Sequence, residues 1–157
     1  MKQRVYIETS IVSYLTARPS RDVVVAGHQE LTRQWWEERS SRFELVISEL
    51  VEQEAGKGDP EAAAARLTAL RPTRVLAVSD AAVALGERLV SAGPIPRESA
   101  ADALHISVAA VNGSDFLLTW NCTHIANAAH RHDIEALVED AGFGCPVICT
   151  PGELMES

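Results

Sequence analysis

Short apolar runs alternate along this chain with longer amphipathic or alanine-rich stretches. Val5-Tyr6-Ile7 is rich in β-branched and aromatic residues, which predicts a buried strand, and Glu8 closes it. Ile11 to Leu15 then reads as a short helix with Thr9 or Ser10 as its N-cap. After a loop around Pro19, Asp22 or Ser20 caps a long helix from Val23 to Arg39. Its apolar positions Val24, Val25, Leu31, Trp35 and Trp36 share no clean stripe, which suggests a half-buried Trp pair. Core or dimer packing is the first reading of that pair, and base stacking the second.

Phe43 to Ser48 is the second strand, and Ser48 caps a helix that begins at Glu49. Gly56 and Gly58 end that helix, and Asp59-Pro60 starts another that runs to Leu70. Arg74 to Val78 is a third strand. Ser79 or Asp80 caps a helix to Ala92, with Val83, Leu85, Leu89 and Val90 as packing positions. Ser99 to Val111 is apolar nearly all round, so it predicts a buried helix whose ionisable members are Asp102 and His105. Phe116 to Thr119 is a fourth strand. A short helical stretch from Ile125 to His130 and a separate helix from Asp133 to Ala141 precede a last strand, Pro146 to Cys149. No strand pair carries a two-residue hairpin signal, so the pattern implies an α/β fold: one three-layer α/β/α domain over residues 1–157 with a central parallel sheet.

Composition narrows the class. The 157 residues are 46% hydrophobic, which suits one globular domain and argues against disorder. Apolar runs are too short to cross a bilayer. Met1 to Arg4 leads directly into the first strand, leaving no room for a signal peptide, and three cysteines make an odd count. A cytoplasmic protein is expected. The formal net charge of −8 counts against tight nonspecific binding of long nucleic acid, because such binders carry a basic footprint. It leaves room for a small phosphate-cleaving site that carries its own cation.

Four residues stand where such a site would form. Glu8 ends the first strand, Glu54 lies on the helix after the second, Asp102 opens the buried helix, and Asn121 follows the fourth strand. In open α/β sheets the carboxyl ends of the strands are where ligands bind. Together these side chains make an oxygen-rich set suited to Mg²⁺ or Mn²⁺. Each has a simpler reading. Glu8 favours a positive helix N-terminus, Asp102 completes a capping box with Ser99, Glu54 is a solvated helix acid like Glu49 and Glu52, and Asn121 holds a turn. Thr9, Ser10 and Thr119 offer hydroxyls to phosphate or to the acids, or close caps and turns. His124 either contacts substrate phosphate or bonds backbone in a turn, and His105 reads as a core histidine rather than a general base. A zinc site from Cys122, His124, His130, His132, Cys145 and Cys149 lacks any tight Cys-x-x-Cys spacing.

Nearly end to end, the chain resembles the PIN-domain family, small α/β ribonucleases that include the VapC-type toxins of bacterial toxin–antitoxin pairs. Tyr6-Ile7-Glu8-Thr9-Ser10 looks like the family's opening, with Glu where the acid is usually Asp. Ser48 to Glu54, with Gly58 beyond, is similar to its second acidic motif and selects Glu54 over Glu52. Asp102-Ala103-Leu104-His105-Ile106 resembles the third acid on its helix. Leu117 to Asn121 resembles the fourth motif, with Asn121 replacing an acid. The resemblance implies a metal-dependent endoribonuclease in which Glu8, Glu54, Asp102 and Asn121 serve Mg²⁺ or Mn²⁺, leaving a 5′-phosphate and a 3′-hydroxyl. It also implies an RNA substrate, a small antitoxin partner and a homodimer, for which the Trp35-Trp36 helix is the candidate surface. Two departures matter: Glu8 reaches roughly 1.5 Å further than Asp, and Asn121 removes one negative charge. The alternative they support is a weakened PIN-fold module that binds RNA or a protein without cutting.

Overall fold

The computed structural model describes residues 1–155. Five strands form one sheet: β1 (Arg4–Ile7), β2 (Glu44–Ser48), β3 (Arg74–Leu76), β4 (Phe116–Leu118) and β5 (Val147–Cys149). Every pairing is parallel, in the order β3-β2-β1-β4-β5. The chain steps outward from β1 to β3, then crosses back to β4 on the other side of β1. That reversal opens a crevice at the carboxyl ends of β1 and β4. Ile7 pairs with Leu118, so Glu8 and Thr119 leave the sheet side by side.

Seven α-helices connect the strands: α1 (Thr9–Thr16), α2 (Val23–Glu38), α3 (Glu49–Ala55), α4 (Pro60–Leu70), α5 (Asp80–Ser91), α6 (Ala100–Val111) and α7 (Ala128–Asp140). α1 packs against α2, α3 and α4, whereas α5 packs against α6 and α7. The right-handed crossovers that parallel sheets adopt put the two groups on opposite faces for this strand order. Both faces are therefore dry, and the β1 residues Val5, Tyr6 and Ile7 are wholly buried. From Ala103 to Ala110, α6 buries every residue except Leu104, as its all-round apolar sequence requires.

Local signals act as physics predicts at most starts. The Ser48 hydroxyl accepts from the Val51 amide, Asp59 caps α4 with Pro60 behind it, and Ser79 caps α5. Several boundaries differ from expectation. Neither Thr9 nor Ser10 caps α1; Glu8 does, its carboxylate accepting from the Ser10 amide. β2 begins at Glu44 rather than Phe43, and β3 stops at Leu76, since the Val78 amide turns to the Glu49 carboxylate. α7 is one helix, capped by Asn127, rather than two segments. Val83 faces solvent, and Ala82 and Gly86 take the packing positions beside Leu85 and Leu89. Trp35 is fully buried and stacks on Phe43, so it is not available as a dimer surface or a base-stacking face.

Candidate metal centre

At the carboxyl edge of β1, Glu8 is almost entirely buried, only 7% exposed. A buried carboxylate needs donors. Its Oε1 accepts from the Ser10 hydroxyl at 2.5 Å and the Thr119 hydroxyl at 2.6 Å, and its Oε2 from the Ser10 amide at 3.1 Å. All of these donors are neutral. Among the described residues no lysine, arginine or histidine forms an ion pair with Glu8.

Glu54, in the last turn of α3, faces the same place. Its Oε1 accepts from the Thr9 hydroxyl at 2.5 Å and lies 2.7 Å from His105 Nε2. Burial works against ionisation of Glu54, yet the hydrogen bond and charge of His105, the Thr9 hydroxyl and Lys57 outweigh it. The carboxyl is held below its ordinary value. Glu8, Glu54 and His105 each offer a ligand atom, all within 4.8 Å of one another. Two carboxylates and one imidazole fit a divalent ion such as Mn²⁺, and the oxygens also suit Mg²⁺. The uncompensated charge on buried Glu8 is what a cation there would offset.

His105 is the member that sequence reasoning placed in the core. It is fully buried, but both ring nitrogens are engaged: Nδ1 lies 2.8 Å from the Tyr6 hydroxyl, which lies 2.7 Å from the Ser48 hydroxyl. A line of polar contacts thus runs from Ser48 through Tyr6 and His105 to Glu54. Burial pushes the Tyr6 phenol far up, and the charges of Glu8 and Glu54 add to this against the Ser48 hydrogen bond, so Tyr6 stays protonated. The spacing of Asp102 and His105 on one helix face was the signal that could have pointed to His105.

Asp102 and Asn121 lie outside that group of three. Ser99 makes no side-chain cap, so no capping box forms. Instead Asp102 Oδ2 lies 2.9 Å from His124 Nδ1. Asn121 Oδ1 accepts from the His124 amide at 3.1 Å, and the Asn121 amide donates to the Thr119 hydroxyl at 2.9 Å. Through Thr119, which also bonds Glu8, the two clusters form one continuous network at the crevice. Thr9, Ser10 and Thr119 all donate to its acids. Among the described residues, the Cys and His side chains of the zinc reading form no such group. Burial, helped by nearby Glu135 and Glu139, pushes the Cys145 thiol up to about 12. Burial and Glu153 do the same for Cys149 against the opposing charge of Arg131. The thiolate is the metal-binding form, so both are poor ligands.

A five-stranded all-parallel sheet flanked by helices is the fold of PIN-domain VapC structures. VapC toxins superimpose on the chain over most of its length. The crystal structure of VapC20 from Mycobacterium tuberculosis, a toxin that cleaves the sarcin-ricin loop, aligns with a TM-score of 0.56 and 15% identity, covering 88% of this chain and 95% of that one. VapBC2 from Rickettsia felis, solved bound to a DNA fragment from its promoter, aligns with a TM-score of 0.58 and 13% identity, covering 94% and 98%. No protein-family model and no curated relative matches the sequence. The protein therefore has the VapC-like PIN fold, with an acidic group able to hold a metal ion at its crevice. No helix among the described residues is long and apolar enough to cross a membrane.

Proposed function

We propose that the protein is a metal-dependent endoribonuclease, the toxin of a toxin–antitoxin pair. The observation that carries this reading is the pairing of buried Glu8, without a cationic partner, with Glu54 and His105 in one ligand-sized cluster. Glu8 and Glu54 would hold Mg²⁺ or Mn²⁺, with Asp102 and Asn121 completing the site from the adjoining cluster. A cation bound there supplies positive charge against the scissile phosphate and acidifies water at the site. The chain's own hydroxyls orient the ligands: Ser10 and Thr119 fix Glu8, and Thr9 fixes Glu54. His124, anchored by Asp102 and partly exposed, is placed to meet substrate phosphate. VapBC2 is a structural relative, and by analogy a small antitoxin is the proposed protein partner. A homodimer would have to use a surface other than Trp35.

A second reading, RNA binding without cleavage, draws on a specific observation: Asp102 is engaged by His124, and the Asn121 carbonyl is engaged in a turn. Cleavage of a structured RNA in Mn²⁺, comparing wild type with Glu8→Gln, decides between the two. The nuclease reading expects cutting by the wild type, loss of at least about a hundredfold in the variant, on the scale of removing one electrostatic stabiliser, and 5′-phosphate ends. RNA binding with equal, background-level cutting by both proteins would overturn it.

A further inference from the structure

Beside the acidic crevice three aromatic rings lie nearly parallel. His28, on α2, stacks face to face on Trp120, with ring centroids 4.0 Å apart and planes 15° apart. Tyr14, on α1, lies 6.0 Å from Trp120 and 6.2 Å from His28, with its plane within 22° of both. We propose that Tyr14, His28 and Trp120 form a nucleobase-stacking subsite that holds a base flanking the scissile phosphate of single-stranded RNA. This rests on the nuclease reading and adds where the substrate is gripped.

Four observations support it. The first is position. Trp120 follows Thr119, a partner of Glu8, and its amide donates to the Ser10 hydroxyl at 2.8 Å. Ser10 and Tyr14 are four residues apart on α1 and share a face, about 6 Å along the axis. The rings are therefore within one nucleotide's reach of the acids. The second is exposure. Trp35 is wholly buried, whereas Tyr14, His28 and Trp120 are each partly exposed, so all three rings can be reached from solvent. The third is unspent polarity. Trp120 is held in place by its Nε1–H bond to the Thr32 hydroxyl, at 2.7 Å. Among the described residues, the Tyr14 hydroxyl and both His28 ring nitrogens have no side-chain or backbone partner, which leaves them free for base edges or ribose. The fourth is charge. A chain of net charge −8 gains little from nonspecific attraction to phosphate, and stacking is a grip that needs no cation.

The test uses the full chain, in Mg²⁺, and a short single-stranded oligoribonucleotide with phosphorothioate linkages to slow cutting. A matching strand with abasic riboses is the control. Binding is read by fluorescence anisotropy. His28→Ala and Trp120→Leu are expected to raise Kd about tenfold, the size of one lost base–aromatic stack. Trp120→Phe, which keeps a ring, should stay within about twofold of wild type. The abasic strand should bind wild type as weakly as the intact strand binds the variants, with no further loss on mutation. The Mg²⁺-induced rise in Tm should persist in His28→Ala, whose ring supports no hydrogen bond of the fold, so a folding defect is visible separately. Undiminished RNA binding by His28→Ala and Trp120→Leu, or equal loss for both strands, overturns the subsite and leaves the nuclease reading standing. No RNA binding or cleavage by the folded wild type overturns both.

Discussion

Glu8 makes no ion pair among the described residues and lies close to a second carboxylate, and that decides what its removal should do. It lies within 4.8 Å of a Glu54 ligand atom. At an effective dielectric of about 20, two such charges repel by on the order of 3 kcal/mol before solvent screening reduces it. In metal-free protein Glu8→Gln is therefore expected to melt no lower than wild type. With Mn²⁺ the order reverses, because the wild type gains a Tm rise that the variant lacks. Calorimetry with and without Mn²⁺ reads both, and an equal rise in the two proteins would remove Glu8 from the metal site. Glu54 behaves differently, because its carboxyl sits below its ordinary value of 4.5. A depressed folded value means a stabilising contribution fully present above 4.5 and lost as pH falls through the lower, folded value. In metal-free protein the urea-midpoint gap between wild type and Glu54→Gln should close below that pH, and a pH-independent gap would deny the effect. Glu8 stands out in the sequence because it ends a strand, whereas Glu54 is singled out from Glu49 and Glu52 only by the family resemblance, through its spacing to Gly58. His105 reads as a satisfied core histidine and is one, buried with both ring nitrogens bonded; its place beside Glu54 was not legible, because its partners Tyr6 and Glu54 lie 99 and 51 residues away.

At the level of elements, Tyr6 ties three of them together. Its hydroxyl joins β1 to Ser48, at the end of β2 and the start of α3, and to His105 on α6. Tyr6→Phe keeps the ring and deletes the tie, leaving His105 Nδ1 buried without a hydrogen-bond partner. That should cost about 1–3 kcal/mol, seen as a lower urea midpoint with unchanged slope, and loosen the Glu54 carboxylate that His105 holds. No loss of stability would mean that water or another group satisfies the imidazole. Elements of this kind were readable where side chain and backbone sit close in sequence. Ser48, Asp59 and Ser79 all cap as their types prefer. Reading failed where distant groups decide. β3 ends early because Glu49, on another element, takes the Val78 amide. The Ser99–Asp102 box is absent because His124 takes the carboxylate. The α1 cap differs for a local reason: Glu8 stands at the N-cap position, and its carboxylate accepts from the Ser10 amide two residues on, as Asn127 does from Ala129 at the start of α7.

For the whole molecule, the alternation of apolar runs with helical stretches was enough to expect a parallel sheet, because parallel neighbours need crossovers and hairpins need turn signals that are missing. Strand order was not legible, since no local pattern says on which side of β1 the chain resumes after β3. That order places Glu8 and Thr119 together, and so makes the crevice. The chain that forms it carries a net charge of −8. Under the proposed function, this predicts a mode of RNA binding that can be measured. A protein that makes six to ten phosphate contacts through lysine and arginine loses roughly 10³–10⁵ in affinity between about 50 and 200 mM salt. Here a divalent cation and stacked rings are proposed to do most of the holding, with one or two side-chain cations at most. For single strands each such contact contributes about 0.7 to the log–log slope, so the same salt change should weaken binding by less than about tenfold. Removing the divalent ion with EDTA should weaken it more than the salt does. Anisotropy titrations across salt at fixed Mg²⁺ measure the slope. A steep slope insensitive to EDTA would mean that a basic surface grips the RNA, and that the acids at the end of β1 do not organise its binding.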